Sequence, residues 1–395
     1  MNLPHLERRP ELDALRGLFL VWMTLTHMPT HFSDLVDSPI GYFSSAEGFV
    51  LISALLVGRL YIRDMRENAP GVRMRLWKRS LKVYRYHLMM LAFAFTVAAA
   101  YAVQTHEAAL CNLLDFYLAH PVVAIAGSVL LLYCPPLLDI LPMYVTFLFF
   151  TPLVLSAAVR WGWRSILVVS AGIWLLAQFG LRDLFHNWMV HVTHLQIPLQ
   201  ETGAFNLFAW QAVCVVGLWL GARSATRTTA LMRTPWWLVS LAGAVCIFFL
   251  GVRHNWLGPQ LTQQGLGVLL DKWQIGPLRV LNISAFAILF YWMRKYILRM
   301  VAIEPFLTLG KASLQVFCTQ IVFVFGALAL LYWETGRQVP GAPPTLHFAA
   351  GVVVLAVTFP VLFLVAWREV RKRKGNRPRQ AAEKENAPQI SGAVR

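Results

Sequence analysis

The stretch that decides the fold is residues 12–58, which read LDALRGLFLVWMTLTHMPTHFSDLVDSPIGYFSSAEGFVLISALLVG. Two apolar runs, each long enough to form a helix, flank a short acidic connection. The ionisable side chains within these runs or at their edges are Asp13, Arg16, His27 and Glu47. Because an ionisable group at the centre of a membrane helix costs about 3 kcal/mol on insertion scales, such residues are candidates for function. We therefore predict a hairpin of two membrane helices that carries a functional site.

The spacing of Arg16 and His27 places both side chains on one face of the first helix. They are eleven positions apart, which is about three turns, or roughly 16 Å along the axis. The second helix runs back the other way, so the hairpin is predicted to bring Glu47 to the depth of His27. A histidine beside a carboxylate can act as a general base at neutral pH. The alternative is that these side chains only pair with one another and with backbone groups at the helix ends.

The composition places the chain among membrane proteins. Its 395 residues are 57% hydrophobic and 14% charged, whereas about a quarter of the residues of a soluble domain are charged. The formal net charge is +16. The basic residues are concentrated in every second loop, which is the pattern of a membrane protein. The lipid bilayer is therefore the expected partner, and nucleic acid is not. No HExxH motif and no cysteine spacing typical of zinc occurs in the sequence, and no metal site is expected.

Apolar runs of about 18 residues or more recur along the chain, and we predict an all-α polytopic protein with ten membrane spans. The spans lie at about 12–28, 41–62, 84–104, 141–159, 165–181, 205–222, 235–252, 277–298, 312–333 and 346–367. The connections 29–40 and 105–140 contain no Lys or Arg, whereas the connection that follows the second span is strongly basic. The positive-inside rule then predicts that both termini are cytoplasmic. Residues 122–133 are apolar but too short to span, and a re-entrant or interfacial helix is predicted there.

The domain organisation follows from the same pattern. Residues 1–370 are predicted to form a single membrane domain, and residues 371–395 a disordered basic cytoplasmic tail, because that segment is polar and contains Pro. No cleavage site for a signal peptidase follows the first apolar run, so this run is predicted to remain as a span. Small residues four apart in the second span predict that it packs closely on the first; the pairs are Gly41 and Ser45, Ser44 and Gly48, and Ala54 and Gly58.

Two further segments contain candidate binding residues. The predicted inner segment 73–86 reads RMRLWKRSLKVYRY, and on a helix Arg75, Arg79 and Lys82 share a face with Arg85 beside them. One interpretation is a topology signal that also attracts anionic lipid. The other is a site for the phosphates of a cytosolic nucleotide-containing donor. On the predicted outer side, Trp and amide side chains such as Trp210 and Gln211 would suit a sugar, although Trp also marks the membrane interface.

Several motifs together resemble the OpgC family of membrane acyltransferases, which is associated with succinylation of osmoregulated periplasmic glucans. The wider acyltransferase-3 group of ten-span enzymes is similar. The motifs are LDALRG followed by His27, SSAEGFVLISA, WKRSLKVYRYH, LDILPMY at 138–144, FNLFAWQ at 205–211, GPLRVLN at 276–282 and LGKASLQVF at 309–317. The resemblance runs from about residue 10 to residue 367. Two positions depart from the pattern: Ala54 replaces a usual Gly, and Gln320 stands where many acyltransferase-3 members have His.

This resemblance implies an enzyme of the bacterial inner membrane with no bound cofactor. Its co-substrate would be cytoplasmic acyl-CoA, with succinyl-CoA favoured, and its acceptor a hydroxyl of a periplasmic glucan or another envelope glycan. It also implies site residues by position. His27 would be the catalytic base, Arg16 would line the donor side, and the donor's phosphates would lie near Arg79 and Arg85. Asp139 and Gln211 would belong to the outer, acceptor side.

The predicted mechanism is proton transfer from the acceptor hydroxyl to neutral His27 as the oxygen attacks the thioester. Glu47 would hold the imidazole tautomer, and Arg16 would stabilise the developing negative charge. A covalent acyl-His intermediate is an open alternative. A transporter or flippase for a sugar or acyl carrier is the alternative function, because buried charges also occur in that class. An inactive scaffold is the third. A succinyl carboxylate would need a cation, and Arg59, Arg279 and Lys311 are the candidates.

Overall fold

The computed structural model describes residues 9–37, 39–226, 234–256, 266–331 and 345–385, apart from the side chains of residues 34, 226 and 376–385. Within these ranges the secondary structure is helical, and no strand occurs. The α-helices are α1 (Pro10–His27), α2 (His31–Val36), α3 (Ser45–Glu67), α4 (Ala69–Phe93), α5 (Ala99–Thr105), α6 (Ala108–Leu113), α7 (Asp115–Ala119), α8 (Pro121–Val129), α9 (Ile140–Gln178), α10 (Leu181–Thr193), α11 (Leu207–Thr226), α12 (Trp236–Arg253), α13 (Gly267–Leu270), α14 (Pro277–Val301), α15 (Glu304–Lys311), α16 (Ser313–Leu330) and α17 (Phe348–Glu385). The π-helical segment Ala94–Ala98 joins α4 to α5, and a short 3-10 helix covers Leu199–Thr202.

Seven helical segments of the described residues are long and apolar enough to cross a membrane. They are Ser45–Glu67, Ala69–Thr105, Ile140–Gln178, Leu199–Ala225, Trp236–Arg253, Ser313–Leu330 and Phe348–Gly375. Helices of this length and composition indicate a membrane protein, which agrees with the predicted all-α polytopic class.

The seven segments are related to the ten predicted spans in a simple way. Helix α9 covers two predicted spans, 141–159 and 165–181. The non-helical backbone of Gly162, with φ of 81°, separates them. Helices α1 and α14 coincide with the first and eighth predicted spans but are not among the seven, and α1 carries Glu11, Asp13 and Arg16. The count of ten spans and the cytoplasmic placement of the termini remain predictions.

Contacts between α1 and α16 show that these two helices run in the same direction. Arg16 near the start of α1 donates to the hydroxyl of Ser313 at the start of α16. Further along both helices, the ring of His27 lies against the side-chain amide of Gln320. These helices are the first and ninth predicted spans, and two odd-numbered spans of an alternating series must be parallel. Their direction therefore agrees with the predicted order of crossings.

Helices α4 and α9 run in opposite directions. The Trp77 ring stacks on Phe149, with ring centroids 6.1 Å apart, and one turn later on α4 the Ser80 hydroxyl donates to the earlier carbonyl of Val145 at 2.9 Å. The two helices contain the third and fourth predicted spans, which are consecutive. An antiparallel pair is what two consecutive crossings of a membrane require.

The small residues of α3 pack against two different helices. Gly48 faces the Phe19 ring of α1, which confirms the predicted close approach of the first two spans at that residue. Ala54 and Gly58 instead face α11, and a Cβ at Gly58 would collide with the backbone of Leu218. The prediction therefore identified a close-packed helix correctly but missed its second partner, which no local spacing indicates.

Two other predicted segments can be compared with the helices. The predicted segment 122–133 overlaps the nine-residue helix α8 (Pro121–Val129), which is too short to cross a bilayer, as expected. At the other end of the chain, α17 continues past residue 370 to Glu385. The division into a domain 1–370 and a tail 371–395 stays a prediction, and residues 386–395 of that tail lie outside the described residues.

Candidate functional site

The first component of the site is the pair formed by His27 and Gln320. His27 is the last residue of α1 and is partly exposed, whereas Gln320 on α16 is fully buried. Gln320 Nε2 lies 3.3 Å from His27 Nδ1. An amide can present either its oxygen or its NH₂ group to this position, and the tautomer of the imidazole decides which. When the oxygen accepts from Nδ1–H, His27 Nε2 retains a lone pair that can receive a proton.

Glu47 has other partners than the predicted one. It is the third residue of α3, where its carboxylate accepts from the Ser44 backbone N–H at 2.7 Å and from the Ser44 hydroxyl. Its other oxygen, Oε1, lies 2.6 Å from Arg279 Nε, and both side chains are buried. Gln320, and not Glu47, therefore contacts the His27 ring. The physical reason is that a buried guanidinium needs a counter-ion and the first turn of α3 needs a cap, and Glu47 supplies both.

Arg16 lies at the opposite end of α1 from His27. Its Nη1 is 3.9 Å from Asp13 Oδ1, its Nη2 donates to Ser313 Oγ, and its guanidinium carbon lies 5.5 Å from the centre of the Phe49 ring. Asp13 precedes Arg16 by one turn, so the guanidinium points away from His27. Because eleven residues of helix separate them by roughly 16 Å, Arg16 and His27 contact different parts of the molecule.

Arg16 lines a cavity of about 490 Å³ that also contains several other basic side chains. Two of the four residues predicted to bind a donor, Arg79 and Lys82, line it. The remaining lining residues are Asp13, Phe49, Leu56, Leu60, Val83, Ile140, Leu141, Tyr144, Lys311, Ser313, Leu314, Gln315, Phe317 and Arg373. The cavity thus has cations from four parts of the chain and apolar walls from α3, α9 and α16.

The other two residues predicted for the donor lie outside the cavity lining. Arg75 pairs with Asp64 at 2.7 Å, both side chains being about half exposed, and its guanidinium lies over the Tyr61 ring. Arg85 is exposed on α4. The shared face predicted for α4 therefore extends beyond the cavity, and only its middle part, Arg79 and Lys82, lines it.

The three residues predicted for the acceptor make contacts within the protein. Trp210 is fully buried, and its indole N–H donates to the Trp273 carbonyl at 3.1 Å. Gln211 exchanges hydrogen bonds with the hydroxyl and the carbonyl of Ser170, each at 2.8 Å. Asp139 accepts from the Ala204 N–H at 3.0 Å. These contacts join α9 and its preceding loop to α11 and the loops around it, which gives the three residues a structural role.

Burial raises the pKa of Asp139 from 3.8 to about 6. The hydrogen bond from the Ala204 N–H opposes this rise, because it favours the ionised carboxylate. Asp139 is therefore the one predicted acceptor residue whose charge changes near neutral pH.

Of the three cations considered for a dicarboxylic acyl group, Lys311 lines the cavity. Arg279 is the partner of Glu47, and Arg59 donates to the Ser224 carbonyl at 2.9 Å. The sequence interpretation missed the contacts that Ser313 makes with Arg16 and Gln320 makes with His27. Ser313 and Gln320 lie seven residues apart on α16. No local signal pairs that helix with α1, since 297 positions separate Arg16 from Ser313.

Comparison with known proteins gives one result. The family model described as OpgC protein matches residues 8–322, which is most of the chain. No curated protein and no solved structure matches the chain. The matched region contains α1 with Arg16 and His27, the α3 hairpin, and α16 up to and beyond Gln320. The chain belongs to the OpgC family.

Proposed function

We propose that this protein is a membrane O-acyltransferase that moves an acyl group from cytoplasmic acyl-CoA to a hydroxyl of a periplasmic glucan or another envelope glycan. Succinyl is the favoured acyl group. Membership in the OpgC family supports a glucan-modifying acyltransferase. The observation that carries the proposal is the arrangement along α1, where a basic cavity surrounds one end and an amide-held histidine forms the other.

The cavity supports the donor side of the proposal. Arg79, Lys82 and Lys311 supply cations. They lie in or beside the connections that precede the third and ninth predicted spans, which are predicted to be cytoplasmic. The phosphates of a nucleotide-containing donor are the natural ligands of such a cluster. Apolar walls beside the cations suit the arm of coenzyme A, which carries its thioester at the end remote from the phosphates. Arg16 at the inner wall therefore has a donor-binding role.

The chemical step is assigned to His27. Its Nε2 accepts the proton of the acceptor hydroxyl while the hydroxyl oxygen attacks the thioester carbonyl, and the C–S bond then breaks. The imidazolium returns the proton to the departing thiolate, so the products are an ester and free CoA. Gln320 contacts Nδ1 of this ring. With the amide oriented so that its oxygen accepts from Nδ1–H, Gln320 fixes the tautomer, which is the role predicted for Glu47. A route through an acyl-His intermediate has the same reactants and products.

Two predicted roles change in this proposal. Arg16 does not stabilise the oxyanion at His27, because its guanidinium is turned toward Asp13 and Ser313 at the other end of α1. Glu47 supports the site indirectly, since its pairing with Arg279 stabilises the start of α3 next to α1. The acyl end of the donor must then reach roughly 16 Å from Arg16 toward His27.

The test is a reaction with purified protein in lipid nanodiscs, succinyl-CoA and a linear or cyclic glucan. We expect release of free CoA together with a glucan that is heavier by one succinyl group, each measured by liquid chromatography and mass spectrometry. The variant His27→Ala should bind the donor but release CoA about 10²–10⁴-fold more slowly, because a general base contributes that factor to the rate. In sealed proteoliposomes of the same protein, movement of glucan or donor across the membrane with the thioester intact would instead favour the transporter. If neither acyl transfer nor transport is observed, the inactive scaffold is the remaining alternative.

A further inference from the structure

We infer that Arg373, on the C-terminal helix α17, is a donor-binding residue of the basic cavity. This inference rests on the proposed function and assigns one more contact to the same site. Arg373 lies beyond residues 8–322, the region that matches the family. It also falls in the segment for which the sequence predicts a disordered tail. Neither the family match nor the sequence pattern therefore points to it.

The position of Arg373 is given by the cavity itself. Its side chain lines the cavity together with Lys311, Arg79 and Lys82, and Arg16 is at the inner wall. These cations come from four helices, α17, α15, α4 and α1, that are far apart in sequence. Four cations at the cavity entrance favour a ligand with several negative charges, which is what the phosphates of a nucleotide-containing donor provide.

Contacts with neighbouring residues hold the Arg373 guanidinium in one orientation. Its Nε lies 2.9 Å from Glu369 Oε1, its Nη1 donates to the Lys311 carbonyl at 2.9 Å, and its Nη2 lies 3.5 Å from Gln315 Oε1. Gln315 in turn donates to the Tyr86 hydroxyl and to Glu369, each at 3.2 Å. A guanidinium has five N–H groups, and three are used in these contacts. The remaining two are available to a phosphate, and the ordering cost has already been met by the protein contacts.

The charges around Arg373 leave the entrance basic. Two carboxylates lie near it, but each already has a basic neighbour, since Asp13 is close to Arg16 and Glu369 is bound by Arg373. Arg371, two residues earlier on α17, offers a matched control. Its guanidinium stacks on the Trp367 ring with 5.2 Å to the centre, and it is not among the residues that line the cavity.

The experiment is equilibrium binding of CoA, measured by isothermal titration with the full-length protein in nanodiscs. A charge-assisted hydrogen bond contributes about 1.5–3 kcal/mol, so Arg373→Gln should raise the Kd for CoA by about 10- to 100-fold. Arg371→Gln should leave it unchanged. Pantetheine, which lacks the nucleotide phosphates, should bind both variants and the wild type equally. Arg373→Lys, which keeps the charge but not the fork of donors, should fall between wild type and Arg373→Gln and keeps the test valid if Arg373→Gln does not fold.

The two ways of failing are distinguishable. If the wild type binds CoA and Arg373→Gln binds it equally well, the role of Arg373 is wrong while the proposed function stands. An equal loss with Arg371→Gln would also overturn it, because the effect would then come from general surface charge. If the wild type does not bind CoA at all, the donor in the proposed function is wrong and the assignment of Arg373 falls with it.

Discussion

Gln320 is the residue whose interpretation changes most between sequence and structure. In the sequence it is a departure from a pattern, because many acyltransferase-3 members have His at this position. In the structure it is buried with its amide on the ring of the one histidine at the end of α1. The residue that departs from the motif, Gln320, therefore positions the ring of His27.

Replacement of Gln320 tests that contact. Gln320→Leu removes one hydrogen bond worth about 1 kcal/mol, so we expect kcat to fall by about fivefold. The KM for acyl-CoA should not change, since the donor cavity lies at the other end of α1. Gln320→Glu keeps an acceptor for Nδ1–H and should retain more activity than Gln320→Leu. A raised KM with unchanged kcat in Gln320→Leu would show that the amide serves the fold or the donor site instead.

The buried pair of Glu47 and Arg279 gives a prediction about stability. Glu47→Gln retains the cap of α3, because Gln serves equally well at this position of a capping box, but it leaves the Arg279 charge unpaired. We expect a loss of about 3–5 kcal/mol in the free energy of unfolding, measured by thermal or denaturant unfolding in detergent. The double variant Glu47→Gln with Arg279→Met should recover a large part of that loss. If the double variant is no more stable than Glu47→Gln, the loss of stability does not come from the unpaired charge of Arg279.

Asp139 predicts a dependence of stability on pH. Its pKa is raised by burial from 3.8 to about 6, so the folded protein binds this proton more tightly than the unfolded chain does. The free energy of unfolding should therefore fall as the pH rises through the window from about 4 to about 6. In Asp139→Asn this part of the fall should disappear, because Asn can still accept from the Ala204 N–H but carries no proton that titrates. Equal pH profiles of the melting temperature for both proteins would contradict it.

At the scale of helices, α3 and α11 are packed with their backbones in contact. A Cβ at Gly221 of α11 would collide with the Leu55 carbonyl oxygen. Gly221→Ala should therefore cost about 1–3 kcal/mol through overpacking, measured by thermal unfolding in detergent. The control is Gly243→Ala on α12, where no atom lies within 4 Å of the added Cβ. That change should be neutral or stabilising, since Ala is favoured over Gly in a helix.

The packing interpretation fails if the two variants have the same effect. Equal destabilisation would mean that any change from Gly matters in this protein, and equal stabilisation would mean that α3 and α11 are further apart than described. Only a loss confined to Gly221→Ala supports close contact of these two helices.

The helices themselves could be predicted well from the sequence, and their partners could not. Length and apolar periodicity are local properties, so the predicted spans coincide with helices even for α1 and α14, which are not among the seven long apolar segments. The relative directions of α1 and α16, and of α4 and α9, also agree with an alternating series of crossings. The second partner of α3 was missed, because spacing in one helix shows which face is small but not which helix covers it.

At the scale of the whole molecule, the site was predicted only in part. Arg16 and His27 were identifiable because both are ionisable residues in an apolar run, with a spacing that fits one helix face. The cavity is lined by Arg16, Arg79 and Lys82, three of the residues predicted for the donor side, whose role stays a prediction. The contributions of Ser313, Gln320 and Arg373 depend on helices that lie hundreds of residues from α1, and nothing local to them in the sequence indicates their place.

The most direct test of the account compares the mass of the glucans from cells that contain the wild-type protein, the variant His27→Ala, or no protein. We predict that the wild type adds one succinyl mass per modified sugar, and that cells with His27→Ala yield the same glucan as cells without the protein although the variant is present in the membrane. An added group of another mass would retain the enzyme class and change the donor. A fully modified glucan from the His27→Ala cells would contradict the central claim that this histidine performs the transfer.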